Sequence, residues 1–324
     1  MIDVKQQACQ MIQAAKNILV TCHVNPDGDS LGSMISFAES AKLAGKNVTL
    51  ITHKPIENNL AFLTAGQQFE PADKFDDLAQ SCDLILVVDT NSRSQLDCFT
   101  QTIEAHAGKT CFVDHHATTD NLGKVNWTDT SSCAAGLMVF ELLKSLDWQI
   151  NSTSRDAIAT AILTDTGWLR FSNTDSRALR AIAELVDLGC STSELYDAIF
   201  NTLRVEKLKL TQHALANLEM YFTDKLAVMQ LSADDFEKTG AILSETDSIV
   251  NYAMQIATVE AAIILVQAPD MVRVSLRSRK NVDVAKIANQ FGGGGHARAA
   301  GCKFKTDLKS AKTDLIKSFE AIMS

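Results

Sequence analysis

The sequence predicts an α/β protein in two parts: an N-terminal parallel sheet with helices on both faces, then a smaller C-terminal α/β domain. Three observations predict it. Four short runs of apolar residues broken by nothing more polar than threonine, at residues 18–22, 48–52, 84–88 and 110–113, alternate with segments of helical spacing. Runs without apolar–polar alternation suit strands buried on both faces, the environment of a parallel sheet. Beyond about residue 205 the pattern changes, with strand-like runs at 226–231, 261–266 and 271–276 set between helical segments. The expected division is a sheet domain over 1–190, a linker over 191–205 and a second domain over 206–324. A chain of 324 residues also exceeds the roughly 250–300 residues at which single cores stop growing.

Taken in order, Val4, Ala8, Met11, Ile12 and Ala15 give a helix leading into the first strand. His23-Val-Asn-Pro-Asp-Gly-Asp-Ser30 follows, then a helix over 31–44 stopped by Gly45. The second strand is 48–52, residues 55–71 read as loop and short helix, and 75–80 as a helical turn or two. The third strand ends at Asp89, a helix covers 97–107, and the fourth strand ends at Asp114-His115-His116. Helices over 132–146 and 154–163 come next, the second running into Thr164-Asp165-Thr166-Gly167. Two more lie within 175–200, divided by Gly189, and a connecting helix over 203–219 opens the second part, whose other helices fall at 246–258 and 282–290.

Apolar residues at 46% and charged ones at 21% make an ordinary soluble mixture. No apolar run approaches the ~18 residues of a membrane span, and the first residues lack a signal-peptide core. Eight scattered cysteines without a CxxC pair suit reduced thiols of a cytoplasmic protein. A net charge of −9 argues against coating long nucleic acid. The charge is uneven: 14 basic and 25 acidic residues through 202, −11, against 16 and 14 from Leu203 onward, +2. The acidic part suits bound cations and the other an anionic substrate, although plain surface charge explains the counts as well.

Open parallel sheets bind ligands outside the carboxyl ends of their strands. Three strands here end in metal-binding residue types, at His23, Asp89 and Asp114. Asp83 precedes its strand, so it belongs at the opposite edge and should not be a ligand. Asp165, just after a helix, can be swung back by a turn containing Gly167. In the first loop, Pro26 and Gly28 hold His23, Asp27 and Asp29 in a tight turn. Asp27-Gly-Asp-Ser30 also reads as a mere turn and helix cap, but that leaves His23 and the acids of two other strands without a role. An oxygen-rich set with some imidazole and no thiolate points to two Mn²⁺, with Mg²⁺ the second choice. Two such ions about 3.5–4 Å apart would clamp a phosphoryl group and activate a water, with Asp89 on the central strand as the natural bridge.

In the second domain Arg273, Ser275 and Arg277 alternate along a strand and so share one face, where Arg forks suit phosphate oxygens. The glycines at 292–295, including Gly293, Gly294 and Gly295, let backbone approach an anion, and His296 adds a donor. A Gly run by itself is more often a flexible turn. Arg279, Lys280 and Arg298 read as rim residues, and Trp168 and Phe171 as base-stacking or core.

Five ordered motifs carry a resemblance: His23-x-x-Pro-Asp-Gly-Asp-Ser30, Val88-Asp89-Thr90, Asp114-His115-His116, Thr164-Asp-Thr-Gly167 with Phe171-Ser-Asn-Thr174, and Gly292-Gly-Gly-Gly-His296. Over nearly its whole length the chain resembles the DHH/DHHA1 phosphoesterases, and among them the stand-alone bacterial nanoRNase/pAp-phosphatase type. The resemblance implies His23 and Asp27 on one ion, Asp29, His115 and Asp165 on the other, and Asp89 between them. It implies that His116 faces the phosphate as a catalytic group, with Asp114 orienting a histidine. The expected function is hydrolysis of short oligoribonucleotides (linear pApA included) to mononucleotides, and of 3′-phosphoadenosine 5′-phosphate to AMP. The second domain is expected to hold the far end of such a substrate, so long nucleic acid and membranes are not partners. A homodimer through the sheet domain is consistent with the resemblance. Rivals with the same chemistry are a cyclic-di-AMP phosphodiesterase, a RecJ-like single-strand exonuclease and a pyro- or polyphosphatase. A non-catalytic nucleotide sensor is the rival from another class.

Overall fold

Apolar side chains on both faces assemble the four expected strands, with two short additions, into one parallel sheet. Its strands are β1 (Asn17–Thr21), β2 (Asn47–Ile51), β3 (Phe69–Glu70), β4 (Leu84–Val88), β5 (Thr110–Asp114) and β6 (Val125–Thr128). They run in the order β3-β2-β1-β4-β5-β6, every pairing parallel. The order reverses between β1 and β4, and a sheet of this type binds ligands at that reversal. The computed structural model describes residues 3–54, 56, 60–246, 248–279 and 282–323, with the side chains of 296 and 321 outside the description.

Alternate residues of each strand face different layers. Val20, Leu86, Val88 and Val113 pack under the helices Gly28–Leu43, Ala135–Ser145 and Ser152–Asp165. Leu19, Ile85, Val87 and Phe112 pack on the other side with Phe75, Phe99 and Ile103. Three glycines set how closely the first group of helices meets. A Cβ on Gly32 would lie 2.4 Å from the Ala157 carbonyl oxygen, one on Gly28 2.5 Å from Thr164 Oγ1, and one on Gly136 2.3 Å from Ala161 Cβ. Backbone contact this close needs residues without side chains.

The edge strands β3 and β6 were not expected: two and four residues are too short for a period of two to register. The helix expected to end at residue 163 continues through Asp165, so Asp165 occupies its last turn rather than the following loop. The helix expected over 97–107 breaks into Arg93–Leu96, a 3₁₀ turn Asp97–Phe99 and Thr100–Ala105.

The chain divides into units Met1–Thr202 and Leu203–Ser324. The helix Thr192–Phe200 falls in the first. The second unit holds β7 (Glu219–Tyr221), β8 (Leu226–Leu231), β9 (Ala261–Ala268), β10 (Met271–Ser278), β11 (Gly294–His296) and β12 (Ala299–Phe304). Their order is β11-β12-β10-β9-β8-β7, with β8 and β9 parallel and the other pairings antiparallel. Val272, Val274 and Leu276 pack with Ile263, Leu265, Ile287, Leu315 and Phe319 on one face. Ala227, Met229, Ile264 and Val266 pack on the other with Leu210, Ala214 and Val250.

The helix expected over 246–258 is reduced to Val250–Ala253 after a 3₁₀ turn Leu243–Thr246. The glycine run is not a free loop, since Gly294 and Gly295 pair with Gly301 and Ala300 at the sheet edge. Gly295 has φ 140°, and a Cβ on Gly293 would lie 2.2 Å from the Gly301 carbonyl oxygen. The hairpin itself therefore demands glycine. Among the described residues no helix is long and apolar enough to cross a membrane.

Candidate functional site

The loop after β1 turns at Pro26 and starts the helix Gly28–Leu43 with Asp27 as its cap. Ser30 N donates to Asp27 Oδ1 at 3.0 Å, and Asp27 N donates to Ser30 Oγ at 2.8 Å. The same Asp27 Oδ1 stands 3.6 Å from His23 Nε2, so the capping residue also borders the cluster. Asp29, in the first helical turn and 2% exposed, accepts from Ala135 N at 2.7 Å and Gly136 N at 2.8 Å. Those donors open the helix Ala135–Ser145, far along the chain, whose amino end favours a carboxylate.

Asp89 follows β4 in a left-handed conformation, φ 61°, and its amide donates to Val113 O on the neighbouring strand. Its carboxylate is shared. Oδ2 lies 3.3 Å from His23 Nε2, while Oδ1 lies 3.4 Å from His115 Nε2 and 3.7 Å from His116 Nδ1. His115 Nε2 also reaches Asp29 Oδ2 at 3.5 Å and Asp165 Oδ2 at 3.8 Å. The donor atoms form three groups that could each hold a metal ion: His23, Asp27 and Asp89; Asp29, His115 and Asp165; and Asp89, His115 and His116. All six residues expected as ligands thus come together. Asp114 is fully buried and pairs through Oδ1 with His116 Nδ1 at 2.8 Å.

The electrostatics of the cluster call for added positive charge. Asp89 Oδ1 is buried without a hydrogen-bond partner. Burial and the Asp89 charge push Asp29 well above the ordinary carboxylate range, against the pull of His115. Burial, with Asp89 and Asp27, likewise raises Asp165. Asp89 goes the other way: burial would raise it, but pairing with His115 and His23 wins and holds it at about 2. Burial would lower both histidines, yet Asp27 and Asp89 lift His23 to about 10 and Asp89 and Asp29 lift His115 to about 10. The pairing with Asp114 raises His116. Carboxylates that cannot all ionise and imidazoles that hold protons fit a set built around divalent cations.

Two supports escaped the sequence reading. Asn173 Nδ2 donates to Cys133 O at 3.0 Å, Asp165 O at 3.1 Å and Asp165 Oδ2 at 3.4 Å. The backbone amides of Ala135 and Gly136 hold Asp29, and the signal for them was the small-residue run Ala134-Ala135-Gly136. Asp83 lies at the opposite sheet edge, where its Oδ2 accepts from Asn17 N at 2.7 Å and Lys16 N at 3.0 Å. Trp168 packs on the main core and edge-on to Tyr196 and Phe200, whereas Phe171 is 54% exposed.

In the second unit Arg273 and Ser275 are exposed and Arg277 half-buried on one face of β10. Their cross-strand neighbours on β12 are Lys303, Gly301 and Ala299. His296 pairs with Ala299 through its backbone, but its side chain lies outside the described residues, as does Lys280. Arg298 is spent on Val282 O at 2.7 Å and Arg279 on Ile256 O at 2.9 Å, so both have structural partners.

A family model described as the DHH family, N-terminal domain matches residues 17–165, and one described as the DHHA1 domain matches residues 223–324. The chain is similar to the bifunctional oligoribonuclease and PAP phosphatase NrnA of Bacillus subtilis, 28% identical over 92% of this chain and 92% of that protein. It is 29% identical to the protein of the same name from Thermus thermophilus, over 91% of this chain and 86% of that one. A solved structure of an exopolyphosphatase-related protein from Bacteroides fragilis has the same fold, with a TM-score of 0.87 at 22% identity, covering 99% of this chain and 97% of that one.

Proposed function

The chain belongs to the DHH family, with a DHHA1 domain behind its DHH domain, and from that membership we propose an oligoribonuclease that also dephosphorylates 3′-phosphoadenosine 5′-phosphate. It is a hydrolase of phosphoester bonds. The finer reading is that it cleaves short oligoribonucleotides, linear pApA among them, to mononucleotides. One observation carries the phosphoester chemistry in this reading: the two oxygens of Asp89 face two adjacent donor groups, one with His23 and Asp27, the other with Asp29, His115 and Asp165.

We assign His23 and Asp27 to one divalent cation, Asp29, His115 and Asp165 to a second, and Asp89 to both. Oxygen and imidazole donors without thiolate favour Mn²⁺, with Mg²⁺ next. When bound, two such ions polarise a phosphoryl group and lower the pKa of water. The protein's own part is positional. Asp29 is held by two backbone amides, Asp165 by Asn173, and Asp89 by its strand-end conformation. Asp114 Oδ1 accepts a hydrogen bond from His116 Nδ1–H and so favours the imidazolium, whose opposite ring nitrogen then carries a proton to donate to a phosphate oxygen or the leaving group. Arg273, Ser275, Arg277, the backbone at Gly293, Gly294 and Gly295, and His296 are assigned to substrate binding. Eight free thiols suit a reducing, cytoplasmic location.

The test is turnover with Mn²⁺ on pApA, a 5-mer and a 24-mer RNA, 3′-phosphoadenosine 5′-phosphate, cyclic-di-AMP and pyrophosphate. Preference for pApA or the bisphosphate, abolished by chelator, is the expected result. Preference for the 24-mer, the cyclic dinucleotide or pyrophosphate would overturn the substrate assignment. Arg277→Ala should raise KM while metal affinity persists; equal loss of metal would undo the division of roles.

A further inference from the structure

A cleft of about 440 Å³ opens beside His23, Asp27, Asp89 and His116, within the size range of small-ligand sites. Beyond those four residues its wall is made of Asn25, Ser92, Ser94, Gln95, Ala117 and Thr118, with Thr90 at the base. None of these carries charge. Arg93, on the same segment, is committed to Glu104 at 2.7 Å and Asp120 at 3.2 Å, while Lys54 Nζ donates to the wall residue Asn25 at 2.8 Å. A second phosphate placed against Ser92, Ser94, Gln95 and Thr118 would leave water for side chains that supply no positive charge, which is costly. An uncharged group with hydrogen-bonding edges would meet matching amides and hydroxyls.

The wall is also held in place. Val24 N donates to Gln95 O at 2.8 Å, tying it to the loop that carries His23. The next carbonyl, Leu96 O, pairs with His53 Nε2 at 2.6 Å, and the His53 ring lies on Phe99 with centroids 3.6 Å apart. Ser92 and Ser94 are bonded to each other at 3.0 Å. The exposed Gln95 amide makes no hydrogen bond among the described residues. A fixed backbone with an uncommitted amide suits recognition of a planar base, since one amide offers a donor and an acceptor side by side.

We propose that this cleft binds the uncharged nucleoside adjoining the scissile phosphate, and that the Gln95 side-chain amide is a specificity-determining contact to its base. The inference rests on the phosphoesterase reading and names which part of the substrate lies in the cleft. It also separates this chain's substrates from inorganic polyphosphates, whose every unit is charged.

The experiment is a double-mutant cycle on the full chain with Mn²⁺. The probes are pApA and its two counterparts that lack one or the other base; the proteins are wild type and Gln95→Ala. Removing the base that sits in the cleft should cost wild type about tenfold in kcat/KM. Gln95→Ala should lose a similar factor on pApA and little more on that abasic probe, so the two losses do not add. Additive losses for both abasic probes would overturn the Gln95 contact. A second variant, Ser94→Arg, puts a cation into the neutral wall and should raise tripolyphosphate turnover relative to pApA by about tenfold. An unchanged ratio would overturn the neutral-wall argument. If wild type cleaves pyrophosphate but not pApA, the phosphodiesterase reading itself falls, and the nucleoside cleft with it.

Discussion

Asp89 holds a backbone conformation that costs a non-glycine residue about 1–3 kcal/mol, and one of its buried oxygens has no hydrogen bond. Such strain is retained where the side chain is needed at that spot. Asp89→Asn keeps the shape and removes the charge, so turnover should disappear and both metal equivalents should weaken in a calorimetric Mn²⁺ titration. Loss of only one equivalent would show that Asp89 is not shared. Asn173→Ala should lower metal affinity by about 10–100-fold, the usual loss when a group supporting a ligand is removed, with circular dichroism unchanged. The six grouped side chains were legible because each ends a strand, opens a helix or, for Asp165, closes one within a recognisable motif. The support from Asn173 was not, because neither the turn that returns it to Asp165 eight residues earlier nor its contact with Cys133 O, forty residues away, leaves a local pattern.

At the scale of elements, the helix Gly28–Leu43 brings Asp29 toward Asp165 because Gly28 and Gly32 allow contact with the helix Ser152–Asp165. Alanine at Gly32 gains about 1 kcal/mol in helix propensity. Its Cβ, however, would sit 2.4 Å from a backbone oxygen, and overpacking of that kind costs about 1–3 kcal/mol. Gly32→Ala should therefore lower the urea midpoint rather than raise it. At the far edge of the sheet, the amides of Asn17 and then Lys16 hold Asp83 below the usual carboxylate range. A depressed pKa stabilises the fold above the unfolded value near 3.8, and that contribution disappears as pH falls through the folded value. Asp83→Asn should lower the midpoint at pH 7, by an amount that shrinks below about pH 4, and leave the Mn²⁺ titration unchanged. A lost metal equivalent would contradict the placement of Asp83 away from the cluster.

At the scale of the molecule, each unit carries its own apolar cores, and all three tryptophans, Trp127, Trp148 and Trp168, lie in the first. Tryptophan fluorescence therefore reports on the unit that holds the carboxylate–imidazole cluster. Metal at a hundred times its dissociation constant stabilises the folded state by about 2.7 kcal/mol per site. Chelator should lower the fluorescence-detected midpoint, and Mn²⁺ should restore it; a midpoint indifferent to both would mean that these residues do not take up the ion.

The α/β class and the strands that end in His23, Asp89 and Asp114 are legible in the amino-acid sequence, and so, through its motifs, are the six acidic and imidazole side chains that the fold groups together. Period and residue chemistry act locally, so they can be read one segment at a time. The fold in three dimensions adds that β1 and β4 are neighbours at the reversal of strand order, that two amides of a distant helix clasp Asp29, and that the glycine run forms a sheet edge. Those outcomes depend on strand pairing and close helix contact between residues far apart in the chain, which no local pattern records.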